Sequence, residues 1–226
     1  MTSLNRFDPR VIAPHQVDAH LQAVPLDRLT ASGLRRHFAS PPIWQPDVVR
    51  ERPLPNRQSS PAAVLVPLVV RQGHLSLLLT QRGQHLANHS GQIAFPGGRV
   101  DESDTDLVHT ALREAQEEVG LSPQFVEVLG TLPIYVTGSA FIITPVVALV
   151  QPGFELQPNP AEVADVFEVP MPYLMNPAHH RHHRAMFEGA ARLWLSIPWT
   201  GPDNRERYIW GATAGMLRNL YRFLVS

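Results

Sequence analysis

Residues 97–121, GGRVDESDTDLVHTALREAQEEVGL, constrain the fold of this chain more than any other segment. Several apolar side chains in it recur at helical spacing and lie within roughly 100° of one another on an ideal helix. This stripe consists of Val108, Ala111, Leu112, Ala115 and Val119. Glu114 and Glu118 lie one turn apart beside the stripe, whereas Glu117 lies farther round toward solvent. The segment therefore predicts a helix that packs on the protein body and carries an acidic edge.

Sequence signals at both ends support this helix. Residues 95–98, Phe-Pro-Gly-Gly, predict a turn whose backbone can approach a ligand closely. Ser103 and Asp104 are candidates to cap the start of the helix, and Gly120 is typical of a residue that ends one.

The acidic edge has two interpretations. In the first, Glu114, Glu117 and Glu118 belong to a solvated charged face without a chemical role. In the second they hold a divalent cation, because like charges at these spacings destabilise a helix by roughly 0.2–0.5 kcal/mol each, and half-buried carboxylates cost more unless a cation compensates them. Mg2+ and Mn2+ take oxygen ligands and keep several waters, so two or three carboxylates plus substrate phosphates suffice. The agreement of turn, cap, stripe and acidic edge favours the second interpretation.

The same residues resemble the signature of the Nudix hydrolase family: a glycine, an acid, then Arg-Glu-apolar-any-Glu-Glu-any-Gly-apolar. Here Gly98 is followed after five residues by Asp104, and residues 113–121 complete the pattern. Eight residues rather than seven separate Asp104 from Arg113, and Asp stands where the family usually has Glu. The resemblance implies an α+β fold, a Nudix-type α/β/α sandwich with a mixed sheet between helices. It also implies metal-dependent hydrolysis of a nucleoside diphosphate linked to another group.

The resemblance assigns the metal ligands. Glu114 and Glu118 are expected to bind Mg2+ or Mn2+, in agreement with their place on the helical wheel. Gly98 is expected to offer its carbonyl oxygen, and Glu117 is expected to act as a further ligand or as the general base.

The expected catalytic residues are Glu117, Arg113 and Glu162. Arg113 would orient the glutamates through an ion pair. In related hydrolases the base can also come from a loop outside the signature. Glu162 is the candidate for that role, although the sequence favours the other explanation, an acidic residue at the start of a helix.

A second resemblance concerns the segment before the glycines. Residues 78–82, Leu-Leu-Thr-Gln-Arg, and 91–98, Gly-Gln-Ile-Ala-Phe-Pro-Gly-Gly, look like the motif that precedes the signature in coenzyme A pyrophosphatases. The pattern has Ser or Ala after the first arginine and a second arginine later, and this chain has Gly83 and Ala87 at those places.

The similarity extends beyond these motifs. Residues 144–147, Thr-Pro-Val-Val, and 210–215, Trp-Gly-Ala-Thr-Ala-Gly, look like later segments of the bacterial members of this branch. The resemblance therefore runs from about residue 61 to the C-terminus. It implies cleavage of coenzyme A to 3',5'-ADP and 4'-phosphopantetheine.

The candidate substrate-binding residues are Arg82, Gly91, Gln92 and Arg99. All 19 basic residues of the chain are arginine, and arginine presents a fixed fork that suits phosphate. Arg82 and Arg99 flank the glycines and are candidates for the 3'-phosphate or the pyrophosphate. Surface solubility or a structural ion pair explains them equally well.

Other functions stay open at this point. The same chemistry on ADP-ribose or a dinucleoside polyphosphate is one alternative, and a non-catalytic nucleotide-binding module is another. A nucleic-acid binder is disfavoured, because the net charge is -1 and the chain has neither a basic stripe nor a recognised binding motif.

Composition and terminal sequence bear on organisation and location. The chain has no cysteine, which excludes disulfides and thiolate chemistry. It shows neither a secretory leader nor an uninterrupted apolar run long enough to span a membrane, so a cytoplasmic protein without a membrane partner is expected. Residues 1–60 are expected to form an N-terminal extension that packs on the catalytic domain, residues 61–226, or on a second subunit in a homodimer.

The remaining segments predict a mixture of strands and helices. Expected strands are 62–70, 75–80, 126–132, 135–136, 141–150, 193–197 and 208–210, and expected helices are 26–38, 161–167 and 212–224. The histidine-rich tract, residues 179–183, predicts an exposed loop without a functional metal site.

Overall fold

The computed structural model describes residues 8–52, 58–85, 90–187 and 189–226, so Ala87 lies outside the described residues. The helices are α1 Ala31–Ala39, α2 Leu107–Val119, α3 Met171–Leu174 and α4 Ala212–Val225. The strands are β1 Gln16–Val17, β2 Ser60–Arg71, β3 His74–Arg82, β4 Ile93–Ala94, β5 Gly97–Arg99, β6 Val126–Thr131, β7 Tyr135–Val136, β8 Phe141–Val150, β9 Val163–Pro170, β10 Arg181–Phe187, β11 Ala190–Thr200 and β12 Glu206–Trp210.

A mixed sheet forms the centre of the molecule. Strands β2 and β8 run parallel, whereas β2 and β3 form an antiparallel hairpin that turns at Gly73, where φ is 78°. Strands β6 and β7 pair with β8, and β9 pairs with β3. Helix α2 packs on one face, and α1 and α4 pack on the other. The predicted α+β sandwich is confirmed.

Strand β2 is buried on both faces, as its continuous apolar sequence requires. Alternate side chains enter two cores. One core contains α4 and receives Val64, Val66 and Leu68 from β2. The other contains α2 and receives Ala63, Leu65 and Val69. This alternation fixes the sheet between two helical layers.

Strands β2 and β3 pair only near their hairpin, over residues 68–71 and 74–77, and diverge farther from it. Residues 93–99 lie between the diverging parts. Strand β5 pairs with residues 62–64 of β2, and β4 pairs with residues 80–81 of β3. A Cβ atom at Gly97 would lie 2.5 Å from the carbonyl oxygen of Ala63, so only glycine fits. The predicted turn therefore has a bend at residues 95–96, between β4 and β5, and continues into β5, which places Gly97 and Gly98 beside α2.

The start of α2 differs from the sequence prediction. Asp106, not Ser103 or Asp104, is the N-cap, and its side chain accepts a hydrogen bond of 2.8 Å from the N–H of His109. The predicted end is confirmed, because Gly120 adopts a left-handed conformation with φ of 72°.

Two other predictions were wrong. Residues 161–167 do not form a helix; β9 begins at Val163 and covers the free edge of β3. The histidine-rich tract is not an exposed loop, because His180 and His183 are 1% and 3% exposed and most of the tract belongs to β10. In β9 the buried Phe167 and Val169 occupy alternate positions on one face, whereas the histidine-rich tract is buried because β10 pairs with β1 and β11.

A second sheet, in the order β1, β10, β11 and β12, adjoins α4. The N-terminal segment contacts the same helix: Arg218 of α4 lies 3.0 Å from Asp18 and 2.7 Å from Asp47. Val48 donates to Asn219 and accepts from it. In the described part of the chain, no helix is long and apolar enough to cross a membrane.

Candidate functional site

The three glutamates of α2 differ in exposure. The side chain of Glu118 is 5% exposed, that of Glu114 is 17% exposed and that of Glu117 is 57% exposed. The order is the one expected from the helical wheel, because the apolar stripe of α2 faces β2 and carries its bordering carboxylates toward the sheet.

Glu118 is a buried carboxylate near the end of α2, in contact with Gly97 of β5 and Arg82 of β3. It accepts a hydrogen bond of 3.2 Å from the N–H of Gly97, and its other oxygen lies 3.5 Å from the guanidinium of Arg82. Burial raises the pKa of Glu118 to about 7, because these two contacts only partly replace the lost solvation. A cation at this position would keep the carboxylate ionised at neutral pH.

Glu114 lies directly against Gly98. A Cβ atom at residue 98 would overlap the Glu114 carboxylate, so the glycine leaves the space that this carboxylate occupies. Arg113 donates a hydrogen bond of 3.0 Å to Glu114. Burial nevertheless raises the pKa of Glu114 above its usual value.

Arg113 is held by a complete set of acceptors. Its Nε and Nη2 donate to the two oxygens of Asp104, each at 2.9 Å, and Nη2 also donates to the carbonyl of Arg99 at 3.1 Å. Nη1 donates to Glu114 and Glu117, both at 3.0 Å. All five N–H groups of the guanidinium are used, so this side chain orients its acidic neighbours.

Asp104 is the residue whose function the sequence left open. Its side chain is fully buried, and besides Arg113 it accepts hydrogen bonds from Thr110 and from the N–H of Asp101. The hydrogen bonds from Arg113 hold the pKa of Asp104 well below its usual range. The extra residue before Arg113 therefore does not prevent a two-point ion pair at this place in the signature.

Glu162 precedes β9 in a turn beside the acidic edge. Asn159 in the same turn donates its N–H to the carbonyl oxygen of Glu118 at 2.8 Å, which ties the turn to the end of α2. The charge of Glu162 contributes, after burial, to the raised pKa of both Glu114 and Glu118. The structure thus brings Glu162 to the glutamates across 44 residues of sequence from Glu118.

The predicted substrate-binding residues fall into two groups. Arg82, Gly91 and Gln92 lie together, because the N–H of Arg82 donates to the carbonyl of Gln92 at 2.9 Å and Gln81 donates to the carbonyl of Gly91 at 3.3 Å. Arg99 lies apart from them. Its guanidinium is 5.1 Å from the centre of the Phe141 ring, and side-chain alternation along β5 puts it on the face opposite to Glu114.

The donor set fits a divalent cation held jointly by protein and substrate. In the described residues, no three His, Cys, Asp or Glu side chains form a group that holds a metal ion by themselves. The buried carboxylate of Glu118, the partly buried carboxylate of Glu114 and the backbone of Gly98 do lie together. Magnesium-type ions need only a few protein oxygens, because water and phosphate complete their coordination.

Comparison with known proteins gives one family and several relatives. The family model described as NUDIX domain matches residues 59–189. An uncharacterized Nudix hydrolase NudL of Citrobacter koseri is 44% identical over 160 residues, covering 70% of this chain and 80% of that protein. The protein of the same name from Salmonella agona is 42% identical over 186 residues, covering 81% of this chain and 91% of that protein.

Solved structures superpose only in part. A MutT/nudix family protein from Enterococcus faecalis has a TM-score of 0.46 at 16% identity, covering 76% of this chain and 64% of that chain. The NUDIX domain of Shewanella oneidensis NrtR, solved in complex with ADP ribose, has a TM-score of 0.40 at 25% identity, covering 51% of this chain and 75% of that chain.

Proposed function

The chain belongs to the Nudix hydrolase family, whose members use divalent metal ions, and from this premise we propose that it hydrolyses the pyrophosphate bond of coenzyme A and its derivatives. The contact that carries the proposal joins Arg82 to Glu118 at 3.5 Å. Arg82 belongs to the segment that resembles coenzyme A pyrophosphatases, and Glu118 belongs to the acidic helix. The substrate motif and the acidic edge therefore meet at one place.

The proposed metal ligands are the carboxylates of Glu114 and Glu118 and the carbonyl oxygen of Gly98, with Mg2+ or Mn2+ as the ion. When bound, such an ion neutralises the pyrophosphate and lowers the pKa of a water for in-line attack. The burial of Glu118 and the partial burial of Glu114 support this assignment, because burial raises the pKa of both carboxylates and a bound cation would compensate their charge.

Arg113 is proposed to orient the ligands rather than to bind substrate. Its five N–H groups already have acceptors, including Glu114 and Glu117. Glu117 is mostly exposed, a position that suits a further ligand on the solvent side of the site.

Glu162 is proposed as the general base. Its carboxylate accepts a proton from the attacking water while the new P–O bond forms and the bridging P–O bond breaks, with the electron pair leaving on the departing phosphate. The products from coenzyme A are 3',5'-ADP and 4'-phosphopantetheine. Exposed Glu117 is the alternative base.

Substrate contacts are proposed for Arg82, Gly91, Gln92 and Arg99. Arg82 has the strongest support, because it lies beside Glu118 and its guanidinium can reach the pyrophosphate or the 3'-phosphate. Arg99 lies on the other side of β5, so a phosphate contact there requires a part of the substrate distant from the metal.

Product analysis of coenzyme A, ADP-ribose and NADH, each incubated with the protein and Mg2+ or Mn2+, tests the proposal. Release of 3',5'-ADP from coenzyme A at the highest kcat/KM is expected. Faster cleavage of ADP-ribose or NADH would reject coenzyme A as substrate and keep the reaction class. Absence of metal-dependent cleavage of all three would reject the enzymatic function and favour a nucleotide-binding module.

A further inference from the structure

The loop after β3 is hydrogen-bonded to the turn that carries Glu162. The N–H of Gly83 donates to the carbonyl oxygen of Glu162 at 2.8 Å. Nε2 of His85 lies 2.9 Å from the carbonyl oxygen of Ala161, and because a carbonyl only accepts, this nitrogen carries the proton. Two consecutive carbonyls of the turn thus bind two donors of one short loop.

The His85 ring lies over Gly83, which leaves room for it. A Cβ atom at this position would lie 2.5 Å from Cε1 and 2.9 Å from Nδ1 of His85. Gly83 is not among the glycines with positive φ, so its backbone does not require glycine. At the residue where the chain departs from the coenzyme A pyrophosphatase pattern, a Cβ atom would therefore require the His85 ring to move.

The same loop continues from Arg82, which reaches Glu118. The pairing of β3 with β9 also shifts register between Gln81 and Arg82, which locally re-aims the chain. Residues 82–85 thus contact the acidic edge on one side and the Glu162 turn on the other. Together with the Asn159 hydrogen bond to Glu118, these contacts connect the Glu162 turn to the acidic edge.

We propose that His85 is a positioning residue that fixes the turn bearing Glu162 and thereby places this carboxylate for proton transfer. The inference rests on the proposed function, because it needs Glu162 to act as the base. His85 itself contacts neither the acidic edge nor, in this proposal, the substrate. Gly83 permits this arrangement, because it leaves room for the imidazole of His85.

The test compares His85→Ala, His85→Gln and Gly83→Ala with the double variant Gly83→Ala/His85→Ala. His85→Ala is expected to lower kcat by roughly 10- to 100-fold with little change in KM, because a small displacement of a catalytic group is costly. His85→Gln is expected to recover most of the loss, since its amide N–H can reach the same carbonyl. Gly83→Ala is expected to lower kcat in the wild-type background and to have no further effect when His85 is alanine.

His74→Ala is the matched control. This exposed histidine lies at the opposite end of β3, and its ring also contacts the carbonyl of a nearby turn, that of Gln72, at 3.1 Å. Its removal is expected to leave kcat and KM unchanged. Additive effects of Gly83→Ala and His85→Ala, or a wild-type kcat in His85→Ala, would overturn the proposal.

Hydrogen exchange of the Gly83 amide separates this inference from the proposed function. Faster exchange is expected in His85→Ala and near wild-type exchange in His85→Gln, with or without substrate. If the wild-type protein cleaves no pyrophosphate, the catalytic role of His85 is refuted together with the proposed function. If the wild-type enzyme is active but the Gly83 amide of His85→Ala exchanges at the wild-type rate, the positioning role of His85 is refuted and the proposed function is retained.

Discussion

Two buried carboxylates near α2, Asp104 and Glu118, differ in chemistry because each has its own surroundings. Asp104 receives an arginine fork and stays ionised, whereas Glu118 receives one backbone N–H and a distant guanidinium. A buried acid without a full counter-charge has a raised pKa, and a bound cation reverses that shift. This contrast separates the structural acid, Asp104, from the candidate ligand, Glu118.

Glu118→Gln is expected to abolish turnover, a loss of several kcal/mol of transition-state stabilisation, while the fold is retained. Steady-state kinetics and far-UV circular dichroism measure the two effects. The variant should also be more stable than the wild type in EDTA above about pH 7. The reason is that the folded-state pKa of Glu118 is raised to about 7, so the stability it contributes in acid is lost as pH rises through that value.

Glu117→Gln is the matched control for this prediction. Its side chain is 57% exposed, so the amide should leave the thermal midpoint in EDTA unchanged. Full activity in Glu118→Gln would contradict the assignment of Glu118 as a metal ligand. A larger loss in Glu117→Gln than in Glu118→Gln would reverse the proposed ranking of the two residues.

At the scale of elements, the start of α2 depends on its N-cap. Asp106→Ala removes the side-chain acceptor of the His109 N–H and is expected to lower the free energy of unfolding by about 1 kcal/mol. Urea denaturation measures the change. Ser103→Ala is the control, because the Ser103 side chain bonds only the exposed Asp101 carboxylate and should cost less than about 0.5 kcal/mol. A larger effect at Ser103 would contradict the assignment of the cap.

Local sequence predicted the elements whose burial pattern is set locally. The apolar stripe and Gly120 predicted α2, and the run from Ala62 to Val70 predicted β2. Residues 161–167 were predicted wrongly, because their strand conformation depends on an unpaired edge of β3 that is distant in sequence. The cap was missed for a related reason: Asp104 is drawn away from the helix start by Arg113.

The candidate site shows the same division. Exposure of the three glutamates followed from their spacing on one helix, whereas the approach of Glu162 to Glu118 depends on how β9 docks beside α2. The close approach of a ring to Gly83 also required the structure, because that ring belongs to a nearby loop residue, His85. Sequence spacing alone gives no such contact.

At the scale of the whole molecule, the N-terminal segment, α4 and the histidine-rich tract form one polar network. Arg218 joins Asp18, Asp47 and His180, and His182 also bonds Asp18 at 2.7 Å. Each histidine of the network therefore has a structural partner, which explains the burial of a tract that composition alone assigned to the surface. The proposed boundary near residue 60 and a homodimer stay predictions.

This network makes the stability of the protein depend on pH through buried His180. Nε2 of His180 donates to the carbonyl of Leu174 at 2.8 Å, and Nδ1 accepts from Arg218, so the ring is neutral. Burial, the largest cause, and the charge of Arg218 together lower the pKa of His180 to about 4, against the opposing effects of the Leu174 hydrogen bond and the charge of Asp18. Between about pH 6.5, the ordinary pKa of histidine in the unfolded chain, and about pH 4, the unfolded chain binds a proton at His180 that the folded protein does not bind.

The contribution of His180 to the free energy of unfolding is therefore expected to be constant above about pH 6.5 and to fall by up to about 3 kcal/mol between there and pH 4. Glu118, whose raised pKa favours the folded state in acid, opposes this loss, so the comparison with His180→Gln isolates the histidine. His183 contributes in the same direction, since burial lowers its pKa as well. Urea denaturation at about pH 7 and about pH 5 measures the slope. His180→Gln should be less stable at pH 7, because it disturbs the contact with Arg218, but its stability should depend less on pH. If the free energies of unfolding of the wild type and His180→Gln fall in parallel between pH 7 and pH 5, acid acts through other groups, such as His183, which both proteins contain.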